Sequence, residues 1–260
     1  MTAVTSPAGH PPTGPQRFDR LDALRGLAML WMTAYHFAFD LNHLRWLHPV
    51  QDFYRDPLWT LQRTAIVSSF LFCAGLSLAV ALHQGQTWPR FWRRWAQVVG
   101  CALLVSAGSA LMFPRSWISF GVLHGLAVML LLARCLALAQ ARGRWPSVLL
   151  VVLALAALAA PVWLQHPVFD HRATNWLGLV TRLPVTEDYV PLLPWLGVVL
   201  LGLVAGQTCL RRGRCLLQGP VPVGVRPLAA LGRWSLSYYM LHQPVLIGGL
   251  LAAQALFGRP

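Results

Sequence analysis

The sequence contains no lysine and little charge of any kind. Its 21 basic residues are all arginine, only 8 residues are acidic, and charged residues make up 11% of the 260-residue chain. The surface of a soluble domain is roughly 25–35% charged side chains, so this composition excludes a water-soluble globular protein. The arginines stand in short clusters between apolar stretches, which argues against a phosphate-tracking face and against nucleic acid as a partner.

The sequence also lacks the closely spaced cysteine pairs that are typical of metal-binding sites. The five cysteines include no C-x-x-C pair, and we therefore expect no metal site. What the chain has in excess is hydrophobic residues, at 56%, with a mean hydropathy of +0.53. This excess indicates that a lipid bilayer is the solvent.

Seven apolar segments are long enough to cross a bilayer, which takes about 20 residues. They lie at about 23–41, 64–83, 95–113, 118–140, 146–164, 191–210 and 234–257. The sequence therefore predicts an all-α, polytopic membrane helix bundle of about seven transmembrane helices, with residues 17–260 as a single domain. Residues 1–16 are rich in Pro, Gly, Ser and Thr, and we expect them to form a disordered cytoplasmic tail.

The arginines are distributed unequally between the two sides of these spans. Fourteen lie on the side that carries the N-terminus and seven on the other. Because positively charged loops are retained in the cytoplasm, we expect the N-terminus to be cytoplasmic.

The first span carries ionisable residues, which are costly inside a membrane and are therefore candidate functional residues. Arg25 and His36 are eleven positions apart, about three helical turns, so they share one face, with His36 about 16 Å deeper. This spacing predicts a polar seam along the helix. Asp22 can pair with Arg25, and Asp40 can accept a proton from His36 and fix its tautomer. The alternative is that Arg25 snorkels to the interface and His36 only bonds a neighbouring helix.

Two further spans carry histidines at a similar depth. His124 lies about 9 Å from one end of its span, and His242 lies about 12 Å from the opposite end of another. Three intramembrane histidines at one level predict a cavity shared by His36, His124 and His242. Pro244 leaves a backbone carbonyl free near His242, which is typical of a helix that lines a cavity. Simple packing or helix–helix hydrogen bonding is the alternative for both residues.

Several short motifs, taken in order, resemble a known family. The segment 17–28, with Arg20, Asp22 and Arg25, followed by His36, is similar to the opening of the heparan-α-glucosaminide N-acetyltransferase-like membrane proteins. The remaining family motifs resemble the blocks at 70–77, 118–124, 194–197 and 231–244. The spacing from Arg25 to His36 also resembles the Arg-x10-His signature of the wider transmembrane acyltransferase superfamily.

The resemblance implies an activity and a location. It implies a membrane-embedded acyltransferase of the bacterial cytoplasmic (inner) membrane. Such an enzyme moves an acetyl or other acyl group from cytoplasmic acyl-CoA to an amino or hydroxyl group of an extracytoplasmic sugar or glycan. Carried over to this sequence, it implies His36 as the catalytic residue and Arg25 as a donor-binding residue. His48 is the nearest counterpart of the catalytic histidine of the lysosomal member.

Further residues complete the expected site. We expect Asp40, His124 and His242 to assist His36, and Arg20 and Arg233 to bind the donor with Arg25, which Asp22 orients. Arginine clusters at 90–94 and 211–214 are further candidates for the CoA phosphates, although the retention of positive charge in the cytoplasm explains them equally well.

The sequence leaves the mechanism and one rival function open. His36 acts either as a general base or as a nucleophile that forms an acyl-imidazole. A proton-coupled transporter could use the same histidines as a relay, but it would favour internal repeats, and none is evident. Homo-oligomerisation is also left open.

Overall fold

The computed structural model describes residues 18–143, 146–212 and 217–258. The tail expected at 1–16 lies outside the described residues. Within those ranges the regular structure is entirely helical, which confirms the predicted all-α class. The α-helices are α1 (Asp19–His43), α2 (Pro57–His83), α3 (Trp88–Met112), α4 (Val122–Ala141), α5 (Ser147–Trp163), α6 (Leu192–Arg211), α7 (Arg226–Arg233) and α8 (Ser235–Phe257), and short 3-10 helices lie at Pro167–Asp170, Asn175–Leu177 and Val223–Val225.

Five of these helices are long and apolar enough to cross a membrane: α2, α3, α4, α6 and α8. Helix α5 is apolar but has only 17 residues, which span about 26 Å, less than the roughly 30 Å of hydrocarbon. Helix α1 has 25 residues but is not apolar enough to qualify. The membrane-helix prediction is therefore confirmed for five segments, and the count of seven stays a prediction.

Glycines allow the central helices to approach closely. A side chain on Gly75 of α2 would collide with the backbone of Val199 on α6, and one on Gly202 of α6 would collide with the backbone of Phe72 on α2. Small residues at such crossings let membrane helices pack backbone to backbone. Around this crossing lies the main apolar core, in which Leu71, Met129 and Leu200 are fully buried.

Helices α1 and α7 meet at a second glycine crossing. A side chain on Gly26 would collide with the carbonyl of Leu228, and one on Gly232 would collide with the carbonyl of Asp22. Helix α8 starts immediately after the exposed Trp234, which separates it from α7. This crossing fixes the start of α8 against α1.

The two ends of the bundle differ in their connections. The long-loop end carries the segments 44–56, 113–121 and 164–191, and the arginine-rich end carries the start of α1 and the segments 84–87 and 217–225. At the long-loop end, Asp188 accepts a hydrogen bond of 2.7 Å from the backbone N–H of Val122, the first residue of α4. Through this hydrogen bond the carboxyl group ties the 164–191 segment to α4. Burial raises the pKa of Asp188 to about 6.

A buried arginine holds the arginine-rich end together. Arg134 of α4 is only 2% exposed and donates hydrogen bonds of 2.8 Å to the side chain and the backbone carbonyl of Gln86. Its guanidinium lies 4.6 Å from the ring centroids of both Trp88 and Phe91, in cation–π geometry. The α2–α3 connection is thereby fastened to α4.

Candidate functional site

Two histidines that are 206 residues apart in the sequence meet between α1 and α8. Nδ1 of His36 lies 2.8 Å from Nε2 of His242. The two rings stack with their centroids 5.0 Å apart and an interplanar angle of 18°. His242 is buried, whereas His36 is half-buried. The structure therefore brings together two of the three histidines that the sequence placed at one depth.

The hydrogen bonds around this histidine pair assign its protons. Nδ1 of His242 lies 2.7 Å from the backbone carbonyl of Tyr239, and because a carbonyl only accepts, this nitrogen carries the hydrogen. In neutral His242, Nε2 is then an acceptor, so Nδ1 of His36 must be the donor. The remaining lone pair of neutral His36 is on Nε2, which has no hydrogen-bond partner among the described residues. That nitrogen is available as a base or a nucleophile.

A hydroxyl pair one turn away holds the two helices in register. Thr33 of α1 donates to the carbonyl of Met29 at 2.9 Å and accepts from the hydroxyl of Tyr238 of α8 at 2.6 Å. The ring of Tyr238 also stacks on His242, with centroids 5.9 Å apart. The histidine pair thus has a packed and hydrogen-bonded support on the side facing the arginine-rich end.

Asp40 has a different partner from the one that the sequence suggested. Its Oδ1 accepts a hydrogen bond of 2.8 Å from Nε2 of Gln243, and no hydrogen bond joins it to His36. The prediction that Asp40 fixes the tautomer of His36 is therefore wrong, because His242 takes that place. Asp40 is 4% exposed, and its Oδ2 and the Oε1 of Gln243 are both buried without a donor. Two unpaired acceptors thus lie close to the histidine pair, one on the residue that directly follows His242 and one on a residue a helical turn from His36.

Arg25 joins three helices. It donates to Asp22 at 2.8 Å, to the carbonyl of Gly232 in α7 at 3.1 Å and to the hydroxyl of Ser77 in α2 at 2.5 Å. The predicted pairing of Asp22 with Arg25 is confirmed. These contacts already use three N–H groups of the guanidinium, so the side chain is locked in place at the arginine-rich end.

The polar seam predicted between Arg25 and His36 is interrupted. Both residues lie in α1, as expected, but Met29 and Met32 stand between them in the same helix and are 1% and 8% exposed. They pack into an apolar cluster with Tyr35. The prediction of a continuous polar stripe is wrong, because side chains that the helical period places on the same face are apolar and buried.

His124 does not join the histidine pair. Its Nε2 lies 3.2 Å from the hydroxyl of Ser106 in α3, and its Nδ1 accepts from the backbone N–H of Gly121 at 3.3 Å. These contacts cap the start of α4 and attach it to α3. The expected grouping of three histidines is therefore reduced to two, since His124 has a different set of partners.

The remaining predicted residues lie away from the pair. His48 is exposed in the connection between α1 and α2, and Arg20 is exposed near the start of α1. Arg233 lies 3.7 Å from Asp19 and lines a groove between α3 and α8. Among the parts of the chain that the structure describes, no group of three or more His, Cys, Asp or Glu side chains could hold a metal ion.

Sequence reasoning missed Gln243 and the carbonyl of Tyr239. Gln243 directly follows His242, so its proximity to the site could have been inferred from the chain itself. Its pairing with Asp40, 203 residues away, has no local signal. The carbonyl of Tyr239 is a backbone group, which residue types do not reveal.

The described helices and the histidine pair define an integral membrane protein with a candidate active site inside its helix bundle. The family model described as "Heparan-alpha-glucosaminide N-acetyltransferase, catalytic" matches residues 17–244, and the chain belongs to this family of membrane acetyltransferases. The curated proteins and the solved structures compared with the chain include no significant match.

Proposed function

We propose that this protein transfers an acetyl or other acyl group from cytoplasmic acyl-CoA to an amino or hydroxyl group of an extracytoplasmic sugar or glycan. The observation that carries the proposal is the hydrogen bond from Nδ1 of His36 to Nε2 of His242. It leaves the second nitrogen of His36 with a free lone pair, as acyl transfer needs. Family membership supports the transferase class.

In this proposal Nε2 of His36 acts as the general base. It removes the proton from the attacking amino or hydroxyl group as that group adds to the thioester carbonyl. The C–S bond then breaks, and the departing CoA thiolate takes up the proton that His36 holds. Nδ1–H of His36 stays bonded to His242 throughout, so the cationic ring that forms has a partner for that hydrogen. His242 is a positioning residue. If His36 were instead acylated directly, the same lone pair would be the nucleophile.

Asp40 and Gln243 are proposed to orient the acceptor. Oδ2 of Asp40 and Oε1 of Gln243 are buried acceptors without donors, and an unpaired buried acceptor costs about 1–3 kcal/mol. An amino or hydroxyl group supplies the missing donor hydrogens. Because Asp40 is four residues after His36 on α1, a group bound there lies within about one helical turn of the base.

The acyl-CoA donor is proposed to reach His36 from the arginine-rich end of the bundle, opposite to the end from which the acceptor enters. The arginine excess supports a cytoplasmic location for the end at which Arg20 and Arg25 lie, with Asp22 holding Arg25 in place. The distance from Arg25 to His36 along α1 is about 16 Å. Met29 and Met32 lie along this path, and their unbranched side chains adapt easily to a neighbouring group. The N-terminus is then cytoplasmic and the acceptor extracytoplasmic, in a bacterial inner membrane.

The proposal is tested with the purified full chain in vesicles, supplied with acetyl-CoA and an amino sugar. Release of free CoA thiol and formation of the acetylated sugar are measured together. We expect His36→Ala to lower kcat about 10²- to 10⁴-fold, the usual contribution of a general base. The matched control is His48→Ala, which removes an exposed histidine and should leave kcat within about twofold. Full activity of His36→Ala, or its loss in His48→Ala alone, would contradict the assignment.

A transporter is distinguished in the same vesicles. Uptake of the labelled sugar without acetylation and without CoA release would contradict the transferase proposal. Acetylation that depends on His36, without net uptake of unmodified sugar, is the expected result.

A further inference from the structure

A long groove separates α3 from α8 at the arginine-rich end. Its volume is about 890 Å³, near the upper end of the range of ligand pockets. Gly100 of α3 lies along it, and a Cβ atom there would meet no other atom within 4 Å. The groove is therefore open space between two helices that both qualify as membrane-spanning.

The groove is amphiphilic along its length. Arg94 of α3 and Arg233, just before α8, lie at the arginine-rich end, and both are exposed. Deeper along the helices it is lined by Leu104, Met240 and Leu241. Of the groove-lining residues that the structure describes, none is acidic, although Asp19 lies 3.7 Å from Arg233 outside the lining. A fitting occupant carries a negative charge at one end and an apolar chain at the other.

The groove lies on the face of α8 opposite the histidine pair. Successive residues of an α-helix are about 100° apart, so Met240 is about 160° around α8 from His242, and Ser237 is about 140° from it. Both Met240 and Ser237 line the groove, whereas His242 faces His36 on α1. A molecule in the groove is thus separated from His36 by the body of α8, and an acyl-CoA bound there could not present its thioester to the candidate base.

We propose that this groove binds an anionic phospholipid. Its phosphate contacts Arg94 and Arg233 through charge-assisted hydrogen bonds, and one acyl chain lies along Leu104, Met240 and Leu241. The two arginines are on different helices, so a bound headgroup bridges α3 and the start of α8. Basic pockets between membrane helices at the interface are suited to lipid headgroups. This assignment does not depend on the proposed acyl transfer.

The proposal is tested by native mass spectrometry of the full chain released from mixed micelles. The micelles contain phosphatidylglycerol and phosphatidylcholine with identical acyl chains. We expect the protein to retain phosphatidylglycerol in preference to phosphatidylcholine. The double variant Arg94→Gln/Arg233→Gln should weaken retention roughly 30-fold, because each arginine near an anionic lipid contributes about fivefold. Gly100→Phe, which fills the groove without meeting another atom at its Cβ, should abolish retention of either lipid there.

Matched variants keep the test specific. The double variant Arg90→Gln/Arg93→Gln removes two positive charges from α3 outside the groove and is the control for Arg94→Gln/Arg233→Gln. Gly108→Phe adds a phenyl ring at another unobstructed position of α3 and is the control for Gly100→Phe. Both control variants should retain phosphatidylglycerol as the parent protein does. Equal retention of the two lipids by the parent protein would overturn the proposal, and so would controls as impaired as the groove variants. Displacement of the phospholipid from the parent protein by palmitoyl-CoA at equal concentration, with retention of palmitoyl-CoA that Gly100→Phe abolishes, would also overturn it and assign the groove to CoA.

Discussion

At the scale of single residues, the tautomer of His36 depends on one acceptor nitrogen, Nε2 of His242. His242→Leu removes that acceptor and leaves the Nδ1–H of His36 unpaired, at a cost of about 1–3 kcal/mol. We expect kcat to fall roughly 10- to 100-fold while KM changes little. His242→Gln offers a side-chain carbonyl in place of Nε2 and should recover part of this loss. Steady-state CoA release measures both parameters.

The control for this prediction is Tyr238→Phe. It removes a different hydrogen bond between α1 and α8, the one to Thr33, and should leave kcat within about threefold. A glutamine variant that folds normally and is as inactive as the leucine variant would show that the acceptor function of His242 is not what matters.

Only some of these contacts follow from the chain itself. Helical periodicity predicts the pair of Asp22 with Arg25, because residues three apart on a helix are neighbours. The same periodicity places Met29 and Met32 on the face that carries Arg25 and His36. The prediction of a polar seam considered only the spacing of the two polar residues and ignored these two apolar residues. The contact between His36 and His242 requires α1 and α8 to pack with each helix rotated about its axis so that the two histidines face each other. The depth of the histidines in the membrane does not specify that rotation.

At the scale of helices, the approach of α2 to α6 depends on glycine. We expect Gly202→Ala to lower the melting temperature of the purified protein, since the added methyl group collides with the backbone of Phe72 and overpacking costs about 1–3 kcal/mol. Gly248→Ala in α8 is the matched control, because a Cβ there meets nothing within 4 Å. It should be neutral or stabilising, as alanine favours a helix by about 1 kcal/mol over glycine. Equal melting temperatures for the two variants would contradict this account.

Helix positions were largely predictable and helix contacts were not. The predicted segment 234–257 agrees with α8, Ser235–Phe257, because the apolar stretch is long and bounded by Arg233. Helix α7 was missed because it has only 8 residues and lies in what the sequence presents as an arginine-containing loop. Its role is to carry Gly232 to α1, a tertiary contact that local composition does not encode.

At the scale of the whole molecule, stability should depend on pH through Asp188. The pKa of this carboxyl is raised by burial from 3.8 to about 6, so between these values the folded protein binds more protons than the unfolded chain. The free energy of unfolding therefore falls as pH rises from about 4 to 6, by on the order of 1–3 kcal/mol from this group. Melting temperatures of the parent protein and of Asp188→Asn, measured across this range, isolate the effect.

The expected difference between the two melting curves is that the parent protein loses stability relative to Asp188→Asn as pH rises. Asp170→Asn supplies a control of opposite sign. Hydrogen bonds from Thr181 hold the pKa of Asp170 below its usual value of 3.8, so that carboxyl stabilises the fold at neutral pH, and its contribution is lost only as pH falls below about 4. Between about pH 4 and 6 the difference between the parent protein and Asp170→Asn should therefore stay nearly constant. A constant difference between the parent protein and Asp188→Asn would refute the assignment.

The meeting of α1 with α8 also bears on when the proposed site can form during biosynthesis. Helix α1 leaves the ribosome well before α8, so the imidazole of His36 stays without the acceptor that defines its proton position while the intervening helices are made. If the proposed mechanism holds, a nascent chain halted before α8 should be impaired about as much as His242→Leu, roughly 10- to 100-fold. The proposed activity is thereby coupled to the insertion of α8.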